Sequence, residues 1–165
     1  RMARHRLLNE NWGFDSNCFV CERRNEGGLR IPFEHDDEAG MVVAEFTLDT
    51  TYSGAPTFVH GGLTLAILDE AQSWATIAVG GKFAVTAETT SRFLLPVRVG
   101  RAYRVEARIA DQGPEKIRTT AAIIDYKERV CVESEATFVV LTDAQAVDAI
   151  GAELTDAEAP YLRDP

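Results

Sequence analysis

His60 precedes Asp69 by nine positions in the run Phe58-Val-His-Gly-Gly-Leu-Thr-Leu-Ala-Ile-Leu-Asp-Glu, and the chemistry open to this chain is concentrated there. Gly61 and Gly62 carry no Cβ, so a ligand's carbonyl oxygen can come close to their backbone. The first N–H groups of a helix have no acceptor within it, and the helix dipole favours negative charge at that end. Such donors can stabilise the oxygen of a tetrahedral transition state as it turns negative. Taken alone, the two glycines can also be read as a turn that merely starts a helix, the lesser of the two readings. Asp69 adds a carboxylate suited to general-base or nucleophilic work.

The helix that would carry these groups shows its phase. Leu63, Ile67, Ala71 and Trp74 fall at the spacing of one buried face, and Asp69, Ser73 and Thr76 fall on another. Glu70 lies about 100° further round than Asp69, so the two acids cannot serve one target. Charged residues on helices are usually solvated. The stretch from Leu63 to Ala71, however, has only Thr64, Asp69 and Glu70 as polar residues. A helix this apolar should be largely buried, which predicts that at least one acid occupies a polar crevice.

His60-Gly-Gly followed by Asp69, with Pro96-Val97 further on, resembles the hotdog-fold thioesterases, particularly the PaaI-like branch. The segment Cys18-Phe-Val-Cys21-Glu-Arg-Arg-Asn25-Glu-Gly-Gly-Leu29 is similar to the Cys-x-x-Cys-Gly-x-x-Asn-x-x-Gly-Leu opening of that branch. The resemblance spans roughly residues 17–141. It implies an α+β hotdog fold, an antiparallel sheet wrapped around one long helix, and hydrolysis of an acyl-coenzyme A thioester without a cofactor. It also implies a homodimer or homotetramer in which the active site crosses the subunit interface, with Asp69 opposite the glycines of the other chain. Asp69 would be general base or nucleophile, with Gly61 and Gly62 as oxyanion donors. Thr86, ten residues before Pro96, would orient the attacking water, unless it is an ordinary strand threonine. His60 would touch the thioester or fix the turn by hydrogen bonding. Some members have Asn six residues before the His; here that position is Gly54, so its contribution to the substrate is made otherwise or not at all. Phe58 and Arg92 complete the expected substrate contacts.

The elements that must position these residues can be read from the pattern. Residues 41–48 alternate, with Val42, Ala44, Phe46 and Leu48 on one face, as in a half-buried strand. A loop with Gly54-Ala55-Pro56 leads to the helix, about Gly62 to Val79, which stops at Gly80-Gly81. Strands follow over residues 84–95, 103–111, 116–126 and 130–141, joined by turns at Gln112-Gly113-Pro114 and Lys127-Glu128-Arg129. A single domain over residues 1–165 is expected, with residues 1–40 as an N-terminal extension. Residues 142–165 form a peripheral tail that begins as a helix from Asp143 to Ile150.

With 17 Lys and Arg against 26 Asp and Glu, the net charge is −9, which argues against non-specific nucleic-acid binding. Arg92, Arg98, Arg101 and Arg104 could still meet coenzyme A phosphates, or be solvated strand charges. No apolar run reaches the ~20 residues of a membrane span. Arg1-Met-Ala-Arg-His lacks the apolar segment of a secretory signal, so a cytoplasmic location is expected. Three cysteines do not form a disulfide scaffold in a chain of this size. Cys18 and Cys21 have metal-knuckle spacing, but a tetrahedral zinc site takes four ligands. Cys131, His5 and His35 form no second knuckle, so no metal is expected and the loop reads as a packing element. Phe58, Trp74, Phe83 and Phe93 are candidates for the acyl pocket or for the core. Aryl, medium-chain and long-chain acyl groups all stay open, as do carrier-protein thioesters. Hydratases of the same fold generally pair a catalytic His with an acid in other motifs. A non-hydrolytic acyl-thioester-binding or biosynthetic accessory protein is the remaining alternative.

Overall fold

The computed structural model describes residues 3–12 and 15–151. Its elements in chain order are β1 (Arg4–Arg6), a 3-10 turn (Asn9–Trp12), β2 (Glu34–Asp36), β3 (Met41–Thr47), a 3-10 turn (Thr50–Tyr52), α1 (Gly61–Ala78), β4 (Ala84–Phe93), β5 (Ala102–Gln112), β6 (Lys116–Asp125), β7 (Val130–Val140) and α2 (Asp143–Ile150). One antiparallel sheet takes the order β1-β2-β3-β5-β6-β7-β4, and α1 packs against β3, β4, β5, β6 and β7. This is the expected α+β hotdog arrangement.

Alternation explains most of it. In β5, Tyr103, Val105 and Ala107 are buried against the helix, and in β6 Thr119, Ala121 and Ile123 are, while Ile117 joins a smaller cluster with Ala84, Ala136 and Phe138. Ile67, Leu68, Ala71, Trp74 and Ala75 of α1 complete that core. Gly81 ends the helix in the left-handed region, at φ 67°, a conformation that glycine adopts without cost.

Two departures from the sequence pattern concern the first forty residues. β1 and β2 join the sheet edge, although Arg-His-Arg and Glu-His-Asp are too short and too polar to show strand alternation. The same segment places Leu7, Val20, Cys21, Leu29, Ile31 and Phe33 in the main core. β3 is also buried on both faces over Met41–Ala44 rather than half-buried, with Arg108 reaching across to the Met41 sulfur and the Ala39 carbonyl.

The far edge of the sheet is β4, where Val85 and Phe93 are 44% and 51% exposed. Thr86 pairs with Phe138 and Glu88 with Thr137, so Ala87 is an extra residue. A bulge of this kind bends the strand and re-aims neighbouring side chains. The helix α2 over Asp143–Ile150 has a Thr142/Gln145 capping box; the acidic end from Asp156 lies outside the described residues. No helix among the described residues is long and apolar enough to cross a membrane.

Candidate active site

The start of α1 is built around His60. Its backbone is extended (φ −55°, ψ 130°) and its Nδ1 accepts the Gly62 N–H at 2.9 Å, so the imidazole is the N-cap. The His60 carbonyl accepts the Thr64 N–H, and its own N–H reaches the Tyr52 carbonyl. A Cβ on Gly62 would lie 3.1 Å from His60 Nδ1, which is why the ring can fold over this residue. Gly54 faces the other side of the same histidine, where a Cβ would sit 3.3 Å from His60 Cα. Gly54 thus packs directly against His60.

This capping divides the two glycines. The Gly62 N–H is engaged by His60, whereas the Gly61 N–H makes no hydrogen bond among the described residues. Beside Gly61 stands the Phe93 ring, 4.0 Å from where a Cβ would be. Phe58 is half-buried, bridged to Arg98, whose guanidinium carbon sits 4.9 Å over its ring. Trp74 is core, edge-on to Trp12 at 6.2 Å, and Phe83 lines a small cavity with it. The four aromatic candidates therefore split, with Phe58 and Phe93 at the helix start and the other two away from it.

Two turns along α1, Asp69 and Glu70 go separate ways, as helix phase requires. Asp69 is half-buried, and its Oδ1 accepts the Thr86 hydroxyl at 2.6 Å. Thr86 reaches it from exposed β4, next to the bulge. Glu70 turns to the N-terminal segment, where its Oε1 accepts the Cys18 thiol at 3.3 Å. Burial, with the Cys18 charge beside it, pushes the Glu70 carboxyl up to about 8. The Cys21 thiol and the backbone N–H groups beside it lower Cys18 instead, and Cys21 is correspondingly raised. Residues 52 apart meet here, so only the burial of one acid, not its partner, is visible in the sequence.

The basic candidates also separate. Arg92 lies opposite Glu133 across β4 and β7 and is ion-paired with it; Arg104 is held by Glu106 and Glu128. Arg98 and Arg101 have no carboxylate partner among the described residues. They line a cavity of about 210 Å³ with Arg129, which the sequence reading omitted and which is bound to Asp125. Because Phe58 bridges to Arg98 and the Val59 N–H reaches the Val97 carbonyl, this cavity is tied to the loop leading into His60.

A carboxylate held by a hydroxyl, a helix N-terminus with a free N–H and a nearby basic mouth can together serve acyl transfer. The thioesterase superfamily model matches residues 57–132, the stretch that runs from this loop through α1 to β7. The likeness is to the hotdog-fold thioesterases. A crystal structure of a thioesterase superfamily protein shares 28% identity at a TM-score of 0.72, covering 81% of this chain and 66% of its own. This chain thus spans slightly less than two thirds of that protein. The Escherichia coli PaaI protein, from the phenylacetic acid degradation operon, shares the fold at 20% identity and TM-score 0.58, covering 62% of this chain and 73% of its own. A hypothetical thioesterase from Streptococcus pneumoniae, solved with coenzyme A, does so at 18% identity and TM-score 0.59, covering 62% and 79%. No curated protein sequence matches the chain.

Proposed function

We propose that this chain is an acyl-coenzyme A thioesterase whose active site is completed by a second copy. The observation that carries the reading is the Asp69–Thr86 pair: a carboxylate fixed by one hydroxyl, on the same helix as the free Gly61 N–H. Eight residues of helix rise separate Gly61 from Asp69, about 12 Å. A base and an oxyanion donor must both lie within about 3 Å of the reacting groups. The two groups of one chain are too far apart to act on one carbonyl, so each meets the complementary group of a partner. Exposed β4, which carries Thr86 at the sheet edge, is the surface that presents this half-site.

Thr86 occupies Asp69 Oδ1 and leaves the second carboxylate oxygen to hold a water. Asp69 takes a proton as that water attacks the thioester carbon, and the oxygen that becomes negative receives the Gly61 N–H. Collapse of the tetrahedral species breaks the C–S bond, and the proton passes to the departing thiolate. His60 holds the turn, and Arg98 and Arg101 bind the phosphates of the coenzyme. The exposed Phe93 ring beside Gly61 borders the acyl group.

A panel of aryl, medium-chain and long-chain acyl-coenzyme A esters, followed by free-thiol release, tests the activity. Hydrolysis of at least one class is expected, and Asp69→Ala should lower kcat by at least ~10²-fold. No thiol release from any ester would overturn hydrolysis of coenzyme A esters and leave a carrier-protein thioesterase or an acyl-thioester-binding protein. Single turnover in ¹⁸O-water separates base from nucleophile. A general base puts the label into the product acid on the first turnover, whereas an anhydride opened by water at the Asp69 carbon puts an unlabelled Asp69 oxygen there and the label into Asp69.

A further inference from the structure

The Cys18, Cys21 and Glu70 cluster is not used by this mechanism. The Cys18 thiol points at Glu70 Oε1, and the Cys21 N–H lies 3.5 Å from Cys18 Sγ. The two sulfurs and a Glu70 carboxylate oxygen all lie within 4.8 Å of one another. We propose that these three side chains form a zinc site that clamps the N-terminal segment to α1.

The turn holding the thiols is built independently of any ion. The Glu22 N–H returns to the Cys18 carbonyl, the Leu29 N–H to the Phe19 carbonyl and the Ile31 N–H to the Val20 carbonyl. A Cβ on Gly28 would lie 2.5 Å from the Phe19 oxygen, so only glycine closes this loop. The knuckle therefore presents both sulfurs on a fixed backbone, and α1, itself core, presents the carboxylate.

Distances and charge both suit a divalent ion. Zn–S and Zn–O bonds of about 2.3 and 2.1 Å in a tetrahedron set ligand separations of roughly 3.6–3.8 Å. The cluster needs to contract by about 1 Å at most to reach them. No Lys, Arg or His pairs with Glu70 among the described residues, so no basic side chain competes with an ion for its carboxylate. Sulfur ligands select zinc over magnesium or calcium. An iron–sulfur cluster takes four cysteines, and Cys131 is elsewhere, donating to the Arg129 carbonyl. Asn9 Oδ1 is 3.9 Å from Cys21 Sγ, and a cavity of about 150 Å³ beside Cys18 and Glu70 is large enough for water. Either fills the fourth position. A Cys18–Cys21 disulfide would leave Glu70 with neither thiol as a partner, whereas a metal ion engages all three side chains.

The test uses the full chain, reduced with a phosphine and titrated first with Co²⁺, then with Zn²⁺. About one metal ion per chain is expected, with a near-ultraviolet thiolate-to-cobalt band that zinc displaces, and a rise in Tm on zinc binding. Cys18→Ser with Cys21→Ser removes the band. Glu70→Gln keeps the thiolates but lowers affinity by at least ~10²-fold, as loss of a direct ligand should exceed the effect of a supporting group. Absence of the band in the reduced wild-type chain overturns the proposal, whether or not the variants fold. So does an unchanged affinity in Glu70→Gln, or a wild-type chain whose thiols only form a disulfide and take up no metal after reduction.

Discussion

Gly61 contributes a backbone N–H rather than a side chain, so the sharpest substitution removes that N–H alone. Proline suits the first helical position, where the N–H has no intrahelical acceptor. His60, before it, already has the extended backbone that a following proline requires (φ −55°, ψ 130°). Gly61→Pro should therefore leave Tm unchanged within error and lower kcat by ~10²–10³-fold, the usual cost of one oxyanion donor. Unchanged kcat by thiol release would shift the donor to another N–H. Thr86→Val keeps the strand and removes the 2.6 Å hydrogen bond to Asp69. A roughly tenfold fall in kcat with little change in KM is expected, about the worth of one hydrogen bond to a charged group. A raised KM at constant kcat would make Thr86 a substrate contact instead. Much of this scale is legible in the sequence, since helix phase alone separates Asp69 from Glu70. The division of labour between Gly61 and Gly62 is not, because histidine is an uncommon N-cap and its choice of acceptor depends on ring orientation.

Elements of regular period were legible and short polar ones were not. The four long strands and α1 follow from alternation, apolar spacing and the glycine stop, whereas β1 and β2 are three residues each and take their pairing from the finished sheet edge. Cross-strand partners such as Arg92 and Glu133 depend on register, which the extra residue at Ala87 shifts by one. The β6–β7 turn offers a test at this scale. Asp125 Oδ1 accepts the N–H groups of Lys127 and Arg129, its Oδ2 accepts the Arg129 guanidinium, and Glu128 takes a left-handed φ of 59° between them. Desolvation is the largest influence on Asp125 and pushes its carboxyl up, but the Arg129 and Lys127 contacts together hold it below its ordinary 3.8. A lowered folded value stabilises the native state above the unfolded value, and the contribution disappears as pH falls through the folded one. Asp125→Asn should thus lower Tm at neutral pH, with the gap from wild type closing in acid below 3.8. A Tm difference that stays constant down to about pH 2 would show that shape, not charge, holds the turn.

At the scale of the molecule, the proposed function has one chain carry both halves of a catalytic arrangement, spaced too widely to act together. With a net charge of −9, an anionic coenzyme bound as proposed would depend on the local arginines at the mouth, Arg98 and Arg101, rather than on the field of the whole chain. The sequence shows the two groups and, through helix rise, their spacing, but the second subunit came from the resemblance and not from the residue pattern. The most direct measurement mixes two inactive variants, Asp69→Ala and Gly61→Pro, under conditions that exchange subunits. Each mixed dimer would hold one site with both groups intact and one with neither. Statistical exchange then restores about a quarter of wild-type thiol release, since half of the dimers are mixed and each has one of two sites. No recovery from exchanged, demonstrably mixed dimers would contradict the account, because it would mean that Gly61 and Asp69 of the same chain serve one site.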